Sequence, residues 1–225
     1  MAKPTKKIKY RDGQQNIPLK DLEQTALLGE SLSTKSETQP VCQNLLFNLK
    51  FFQLLFEIDF ELATQACAAK CPCGGAFYCA DYPRKPRGCP KSAQHLFTFR
   101  FSFCCCKCRK RTTAVSVRFL GRRVYIALCL ALMPARRAKI KAQDPALCAT
   151  LGVPARTLAR WRAWWIQTFP ATPLWQVQCA RFVPPPDTTQ LPPSLLARFL
   201  GSATESLVLL LRFLTPLTVR NGRVH

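Results

Sequence analysis

The chain has 225 residues, nearly half of them apolar, and a formal net charge of +21. This composition excludes a wholly disordered chain, and the length suits one or two small domains rather than a large catalytic fold. Residues 1–62 carry equal numbers of basic and acidic side chains, so the charge excess lies entirely in residues 63–225. Such an excess favours a polyanionic partner, with nucleic acid ahead of an anionic lipid surface.

The sequence predicts neither a targeting segment nor a membrane span. The N-terminal MAKPTKKIKYRDG lacks the apolar region of a signal peptide. The longest apolar stretches, 125–133 and 207–217, are too short or are interrupted by Arg212 and Pro216. The 13 cysteines are clustered rather than dispersed, which argues against a secreted disulfide framework. We therefore expect a cytoplasmic protein, associated with the nucleoid if its partner is DNA.

Three different patterns succeed one another in the N-terminal part. Residues 1–40 are polar and mixed in charge, which is typical of a flexible arm. Apolar residues recur at helical spacing over residues 42–55, which predicts a short amphipathic helix. Residues 56–62 alternate strictly between apolar and acidic side chains, a pattern that predicts a strand with one buried face.

A β-hairpin is predicted around the second cysteine cluster. Residues 97–103 alternate phenylalanine with polar side chains, and residues 113–119 repeat the alternation. The two predicted strands flank a turn that carries cysteines, so the thiols lie at the hairpin tip. Gly121 then ends the strand, and residues 122–133 are predicted to form a helix that stops at Pro134.

Residues 144–166 resemble a helix-turn-helix motif. A helix over 145–150 meets a turn at Gly152, and a second helix begins near Pro154. The small residue Cys148 precedes the glycine by four positions, and Leu158 and Trp161 occupy the inner face of the second helix. That helix is expected to present four polar or basic side chains to a major groove: Arg156, Thr157, Arg160 and Arg162. The alternative is an ordinary helical hairpin with a basic outer face.

The C-terminal part begins with a proline-rich segment, 182–193, which predicts an extended linker. Two short apolar helices, 194–200 and 205–214, are expected to pack on each other, on the rest of the protein or on another copy. The predicted fold class is α+β, with a small zinc-ribbon hairpin unit followed by a mainly helical unit. The predicted boundaries divide the chain into 1–40, 41–121, 122–181, 182–193 and 194–225.

Two cysteine clusters carry the strongest chemical signal. The first reads Cys71-Pro72-Cys73-Gly74-Gly75, and the second contains Cys104, Cys105, Cys106 and Cys108. A structural zinc site takes two thiolates from each of two tight turns, and glycines after a ligand permit such a turn. We expect a structural Zn²⁺ ion bound by four thiolates: Cys71, Cys73, Cys105 and Cys108. The one-residue spacing in the first cluster leaves Cys67 and Cys104 as alternates, and unligated buried thiols are the competing interpretation.

Two basic segments adjoin these clusters. The loop Asp81–Gly88 contains two prolines that stiffen it and are expected to hold three cations and Tyr82 outward, a composition that suits phosphate contacts and stacking. The second cluster continues into a further run of basic residues. The candidate DNA-contacting cations of the two segments are Arg84, Lys85, Arg87, Lys107, Arg109, Lys110 and Arg111. The competing interpretation of each run is a solvated charged surface.

The sequence gives little support for catalysis. A nucleophilic cysteine needs a nearby histidine, but the chain contains only His95 and His225. A transposase of the carboxylate type needs three acids that hold two metal ions. Past residue 62 the acids are Asp81, Asp144, Asp187 and Glu205, and none lies on a clear central strand. We therefore expect binding without strand cleavage.

The segment from about Cys71 to Tyr125, with CGG, ADYPRKPRG, FSFCC, CRKRTT and SVRFLGRRVY, resembles the zinc-ribbon part of small bacterial proteins linked to transposases and other mobile elements. The resemblance implies a protein that recognises duplex DNA ends, or an accessory of a transposase or recombinase. Two other classes compete with it. One is an RNA-binding zinc-ribbon protein, and the other is an interaction module whose C-terminal helices bind a second copy or another protein.

Overall fold

A computed structural model describes residues 45–120, 125–132 and 143–219 of the chain. These residues combine helices with a few short antiparallel strands, which confirms the general α+β class. The predicted flexible arm, 1–40, lies outside the described residues. Among the described residues, no helix combines the length and apolar character needed to cross a bilayer.

A long helix opens the described part of the chain. After a 3-10 turn at Leu45–Phe47, helix α1 spans Leu49–Ala68, and the Asn48 side chain caps it by accepting a hydrogen bond from the Phe51 amide. The strand predicted over 56–62 is therefore wrong. Burial in this segment follows the helix and not the alternation, because Ile58 and Asp59 are buried while Glu57, Phe60 and Glu61 are exposed.

A three-stranded antiparallel sheet follows α1, in the order β1-β4-β5. Strand β1 spans Phe77–Cys79, β4 spans Ser102–Cys105 and β5 spans Arg111–Thr113. Strands β4 and β5 form the hairpin with cysteines in its turn, as predicted. A second pair joins β2 (Tyr82–Pro83) to β3 (Phe99–Arg100).

The predicted strands of the hairpin are longer than those observed. The first was predicted over 97–103, but a 3-10 helix occupies Lys91–Phe97 and the strand is interrupted at Phe101. The second was predicted over 113–119, but residues 114–118 leave the sheet. Their departure has a physical reason, since the amide of Val117 donates to the Asp59 carboxylate at 2.6 Å instead of to a neighbouring strand.

The segment predicted as one helix over 122–133 begins differently. Strand β6 (Phe119–Leu120) pairs with β7 (Tyr125–Ile126), and helix α2 spans only Ala127–Leu132. Next in the described part come α3, Gln143–Leu151, and α4, Ala155–Ala163. The turn between α3 and α4 lies at Gly152, which has a φ of +60°, so the two predicted helices and their turn are present.

The remaining helices are short except the last long one. Helix α4 runs into a π-helical turn at Trp164–Thr168, and α5 spans Pro173–Gln178. Short 3-10 turns at Cys179–Arg181 and Thr188–Gln190 are followed by α6, Pro193–Leu196, and α7, Ala203–Leu214. A final 3-10 turn occupies Thr215–Thr218. The sequence prediction of two C-terminal helices is confirmed, with the first one shorter than expected.

The larger hydrophobic core is shared by most of the helices. Residues of α1, α2, α4 and α7 all contribute to it, and so does Leu191 from the predicted proline-rich linker. Phe182, at the start of that segment, packs against the rings of Trp175, Phe199 and Phe213. The 182–193 segment is thus not an extended linker, because Phe182 and Leu191 pack with the larger core.

The smaller core lies under the sheet. It consists of four buried residues, Ala63, Phe101, Phe103 and Ala114, which join α1 to the β4–β5 hairpin. Phe77 of β1 packs on Phe103 at a ring separation of 6.0 Å. This small cluster fixes the hairpin against α1 and leaves the hairpin tip outside the core.

Candidate metal centre and its basic rim

Four cysteines from two loops come together at the hairpin tip. Cys71 and Cys73 lie in the turn after α1, Cys105 ends β4, and Cys108 lies in the β4–β5 turn. Their sulfur atoms all lie within 4.8 Å of one another. The Sγ atoms of Cys71 and Cys108 are 3.6 Å apart, and those of Cys73 and Cys105 are 3.4 Å apart. The cluster can therefore hold a metal ion.

These four are the cysteines that the sequence singled out. The alternates do not join them. The Cys104 thiol instead donates to the carbonyl oxygen of Arg109 at 3.3 Å, and Cys67 packs beside the small core under the sheet. Adjacent residues of a strand point to opposite faces. Cys105 of β4 therefore points toward the other three thiols, and Cys104 points away from them.

The turn at Cys71–Gly75 explains how a one-residue spacing serves two ligands. The Cys71 amide donates to the carbonyl oxygen of Gly75 at 3.1 Å, and the Gly74 amide donates to that of Cys71 at 2.8 Å. Gly74 has a φ of +74°. A Cβ atom on Gly75 would lie 2.5 Å from the sulfur of Cys105. The two glycines thus fold the loop tightly and leave room for the sulfurs.

The thiols have unequal proton affinities. Burial acts to raise the pKa of Cys105, but hydrogen bonds from the backbone amides of Cys108 and Lys107 outweigh it and lower the pKa to about 6. The pKa of Cys73 is also lowered, chiefly by a backbone hydrogen bond from Gly75. The Lys107 amide is 3.3 Å from the Cys105 sulfur. Amide donors aimed at sulfur stabilise thiolates, and thiolates are the form that binds metal.

Cations surround the cluster on the hairpin turn. Lys107, Arg109, Lys110 and Arg111 are all exposed. Arg109 takes a left-handed φ of +59° and its guanidinium donates to the Tyr78 hydroxyl at 3.0 Å. The Arg111 guanidinium lies 4.4 Å from the centre of the Tyr82 ring. We refer to these four cations as the basic rim.

The second basic segment joins the sheet to the helix pair. Lys85 and Arg87 are exposed, whereas Arg84 is half-buried with its guanidinium 5.8 Å from the Tyr82 ring. The loop ends at Gly88, whose amide donates to the carbonyl oxygen of Leu151 at 3.1 Å. The basic loop is therefore tied to the end of α3.

Three of the four side chains predicted to contact DNA are at least partly exposed on the helix pair. Arg156 and Arg160 are exposed and Arg162 is half-buried, but Thr157 is 7% exposed and faces inward. The Thr157 hydroxyl accepts a hydrogen bond from Arg160 at 3.2 Å, so the expectation that Thr157 faces a partner is wrong. Periodicity alone misplaced it, because Thr157 adjoins the buried Leu158 at the edge of the inner face.

The sequence analysis missed a buried ion pair between the sheet region and α1. The Arg118 Nε atom donates to the Asp59 carboxylate at 2.8 Å, and both side chains are essentially inaccessible. The Ser116 hydroxyl also donates to Asp59, at 2.5 Å. Burial lowers the pKa of Arg118, and the Asp59 carboxylate opposes that effect. The sequence did not single out Asp59, because Glu57 and Glu61 flank it in the same alternating segment.

Aromatic rings enclose the arginine of this pair. Phe56, Phe97, Phe101 and Phe119 have ring centres between 4.7 and 5.6 Å from the Arg118 guanidinium. Their π faces replace part of the hydration that the cation loses. The pair therefore has a structural role in joining α1 to the 116–119 segment.

Comparisons with known proteins do not assign the chain to a family. No protein-family model, curated protein or solved structure matches the chain.

Proposed function

We propose that the chain binds duplex DNA through the basic rim, the basic loop and helix α4, around a structural zinc ion held by the four cysteines. We further propose that it acts in a transposase-like or accessory role for a mobile element, recognising DNA without cleaving it. The observation that carries the proposal is the presence of four exposed cations on the same hairpin tip that supplies two of the metal ligands.

Zinc is the metal that fits the donor set best. Four thiolates with zinc–sulfur distances of about 2.3 Å require sulfur–sulfur separations of roughly 3.8 Å in a tetrahedron. The 3.4 and 3.6 Å pairs, with all four sulfurs within 4.8 Å, lie close to that geometry. A site closed by four cysteines has a structural rather than a catalytic character. When bound, the ion would fix the turn and thereby the rim.

Charge and position support DNA as the partner. The cations of the rim and the loop are mostly solvent-exposed, and phosphate contacts of this kind position a protein on nucleic acid. The helix pair adds Arg156 and Arg160 on the exposed side of α4, where arginine can pair with guanine in a major groove. The Gly88 amide donates a hydrogen bond to the Leu151 carbonyl oxygen. This bond connects the basic loop to the helix pair.

The described acids past residue 62 support binding without cleavage. Asp81 accepts a hydrogen bond from the Ser102 amide at 2.8 Å, Asp187 accepts one from the Thr189 amide at 2.8 Å, and Glu205 accepts one from the Ser202 amide at 2.8 Å. Each of these carboxylates thus stabilises the local backbone. We propose that none of them holds a catalytic metal, because the candidate metal cluster found among the described residues consists of cysteines and includes no carboxylate.

The test is fluorescence anisotropy of a labelled duplex with the zinc-loaded full chain at several salt concentrations. We expect affinity to fall steeply with salt, because phosphate binding releases counterions. The double variant Arg109→Gln and Lys110→Gln should weaken binding and reduce the salt slope by about two. Arg212→Gln is the matched control, since Arg212 is exposed on α7 and should leave both quantities unchanged. Salt-independent binding, or an unchanged slope in the double variant, would refute the proposal.

The two competing classes predict different results. An RNA-binding protein would bind a structured RNA more tightly than a duplex DNA under the same salt conditions. The interaction-module hypothesis rested on the apolar C-terminal helices, but Leu207, Leu210, Leu211 and Leu214 of α7 are fully buried within the chain. Their burial removes much of the apolar surface on which that hypothesis depended, whereas Leu200 and Leu209 remain exposed.

A further inference from the structure

One side of the three-stranded sheet and the adjoining strand β2 carry exposed tyrosines in contact with arginines, a combination that duplex binding does not require. We call the set Tyr78, Tyr82, Arg84, Arg109 and Arg111 the Tyr–Arg face. The Tyr78 side chain is 43% exposed and that of Tyr82 is 39% exposed. Aromatic rings exposed to this extent beside cations offer flat surfaces on which a base can stack.

Strand pairing places several of these groups on one side of the sheet. Tyr78 of β1 pairs with Cys104 of β4, and Cys104 pairs with Arg111 of β5. Directly paired residues of antiparallel strands point to the same side. The buried Cys104 thus lies between Tyr78 and Arg111, and the Arg111 guanidinium in turn reaches Tyr82.

The arginines orient the rings rather than merely surrounding them. Arg109 donates to the Tyr78 hydroxyl, so its charge lies at the edge of that ring. The guanidinium groups of Arg84 and Arg111 approach the Tyr82 ring, and Arg111 is within cation–π range at 4.4 Å. The nearest acid in the sequence is Asp81, which is half-buried and accepts a hydrogen bond from the Ser102 amide.

We propose that the Tyr–Arg face binds unpaired nucleotides of a DNA strand, with a base stacked on Tyr78 and the backbone phosphates held by the arginines around Tyr82. Single-stranded nucleic acid is bound by aromatic platforms set in a cationic surface. Exposed rings and guanidinium planes both offer flat surfaces for a base. The proposal deepens the proposed function and rests on it, since the ligand would be a duplex that ends in a single-stranded extension.

The experiment compares three labelled DNA molecules in anisotropy titrations with the zinc-loaded full chain. They are a blunt duplex, the same duplex with a short thymine extension, and the same duplex with an abasic extension. We expect the thymine extension to bind roughly tenfold more tightly than the blunt duplex, the effect of about one stacked base. The abasic extension has the phosphates without the bases, so it should lose most of this gain. Equal affinity for the two extensions would overturn the proposal.

Variants locate the effect on the face. Tyr78→Leu should abolish the preference for the thymine extension, whereas Tyr78→Phe keeps the ring and should retain most of it. Phe47→Leu is the control, because Phe47 is 67% exposed in the 3-10 turn before α1. A preference that survives Tyr78→Leu and Tyr82→Leu would place the stacking elsewhere and refute the assignment. If these variants lose zinc or unfold, the comparison of thymine and abasic extensions in the unmodified protein still decides whether unpaired bases are bound.

The outcomes separate this proposal from the proposed function. Salt-dependent binding of the blunt duplex without any gain from an extension would refute the Tyr–Arg face alone. Absence of binding to every DNA molecule would refute the proposed function and, with it, this proposal. A ribonucleotide extension bound more tightly than the thymine extension would overturn the assignment to DNA.

Discussion

Two regions of one compact unit differ in apolar packing: strands β1, β4 and β5 over the smaller core, called here the sheet unit, and the helices around the larger core, called here the helical unit. Among the described residues, the core under the sheet contains four buried residues, whereas the core shared by the helices contains thirty. A region with so small a core gains little apolar stabilisation of its own, and a structural metal ion can offset the entropy of ordering its loops. We therefore infer that a metal ion at the cysteine site stabilises the hairpin tip, whereas apolar packing stabilises the helices.

The largest expected effect is the loss of the metal ligands. The double variant Cys105→Ser and Cys108→Ser should lose the zinc and with it the order of the β4–β5 turn. Structural zinc sites contribute on the order of 10 kcal/mol of apparent folding free energy. The measurement is zinc per chain by elemental analysis, together with thermal unfolding. Cys106→Ser is the matched control, since Cys106 is exposed in the same turn. A double variant that keeps its zinc would contradict the ligand assignment.

A smaller loss is expected where the two units meet. Asp59→Ala leaves the guanidinium of Arg118 buried without its carboxylate, and breaking such a pair typically costs about 3–5 kcal/mol. The free energy of unfolding from urea titration measures this loss. Glu57→Ala on the exposed side of the same helix should change it by less than about 0.5 kcal/mol. Equal effects of the two substitutions would show that the pair does not join the units.

Replacing Gly88 with alanine should destabilise the protein more than the same substitution at Gly152. Gly88 has a φ of +73°, and a Cβ atom there would lie 2.7 Å from the Trp161 ring. Gly152 has a comparable φ of +60° but no atom within 4 Å of the corresponding position. Both alanine variants incur roughly 1–2 kcal/mol of left-handed strain, and Gly88→Ala should lose about a further 1–3 kcal/mol through overpacking. Identical unfolding midpoints for the two variants would refute this account of the joint.

The smallest effect is expected within the helical unit. The Ser202 hydroxyl accepts a hydrogen bond from the Glu205 amide, and the Glu205 carboxylate accepts one from the Ser202 amide, so the two residues form a capping box. Ser202→Ala should cost about 1 kcal/mol in urea unfolding. The zinc content should not change, and loss of zinc would contradict the separate stabilisation of the two units.

The same capping box predicts a dependence on pH. Hydrogen bonds from the Ser202 backbone and side chain lower the pKa of Glu205 below its usual value. The carboxylate therefore stabilises the folded protein above the usual glutamate pKa, and this contribution is lost as the pH falls through the lowered value. The difference in stability between the parent and Glu205→Gln should shrink in acid. A difference that grows as the pH falls would contradict the assignment.

The chemistry of the site could be predicted from the sequence more fully than the fold around it. Residue type and glycine spacing selected Cys71, Cys73, Cys105 and Cys108 because few side chains bind soft metals and tight turns need glycine. The strand predicted over 56–62 was wrong because alternation over seven residues does not determine which side chains are buried, and here the acidic Asp59 is buried while the apolar Phe60 is exposed. Only tertiary contacts decide between the two, here through Asp59 and its buried partner Arg118.

Burial was the property that local patterns predicted least well. Thr157 was expected on the exposed side of its helix, yet it lies beside the core. At the edge of a helical face, contacts with other elements decide whether a residue is buried. Leu191 was placed in a linker, yet it is fully buried. Prolines forbid regular helix but do not prevent a segment from packing. Both errors concern contacts between distant parts of the chain, about which one sequence carries little information.

The most direct test of the central claim is hydrogen exchange, followed by mass spectrometry, of the full chain with zinc and after chelation. The account predicts that peptides covering β1, β4 and β5 lose protection when the metal is removed. Peptides covering α7 should keep theirs, because its apolar face lies within the larger core. Protection of the hairpin that does not change on chelation, or protection lost equally in both units, would contradict the claim that a metal organises the sheet unit.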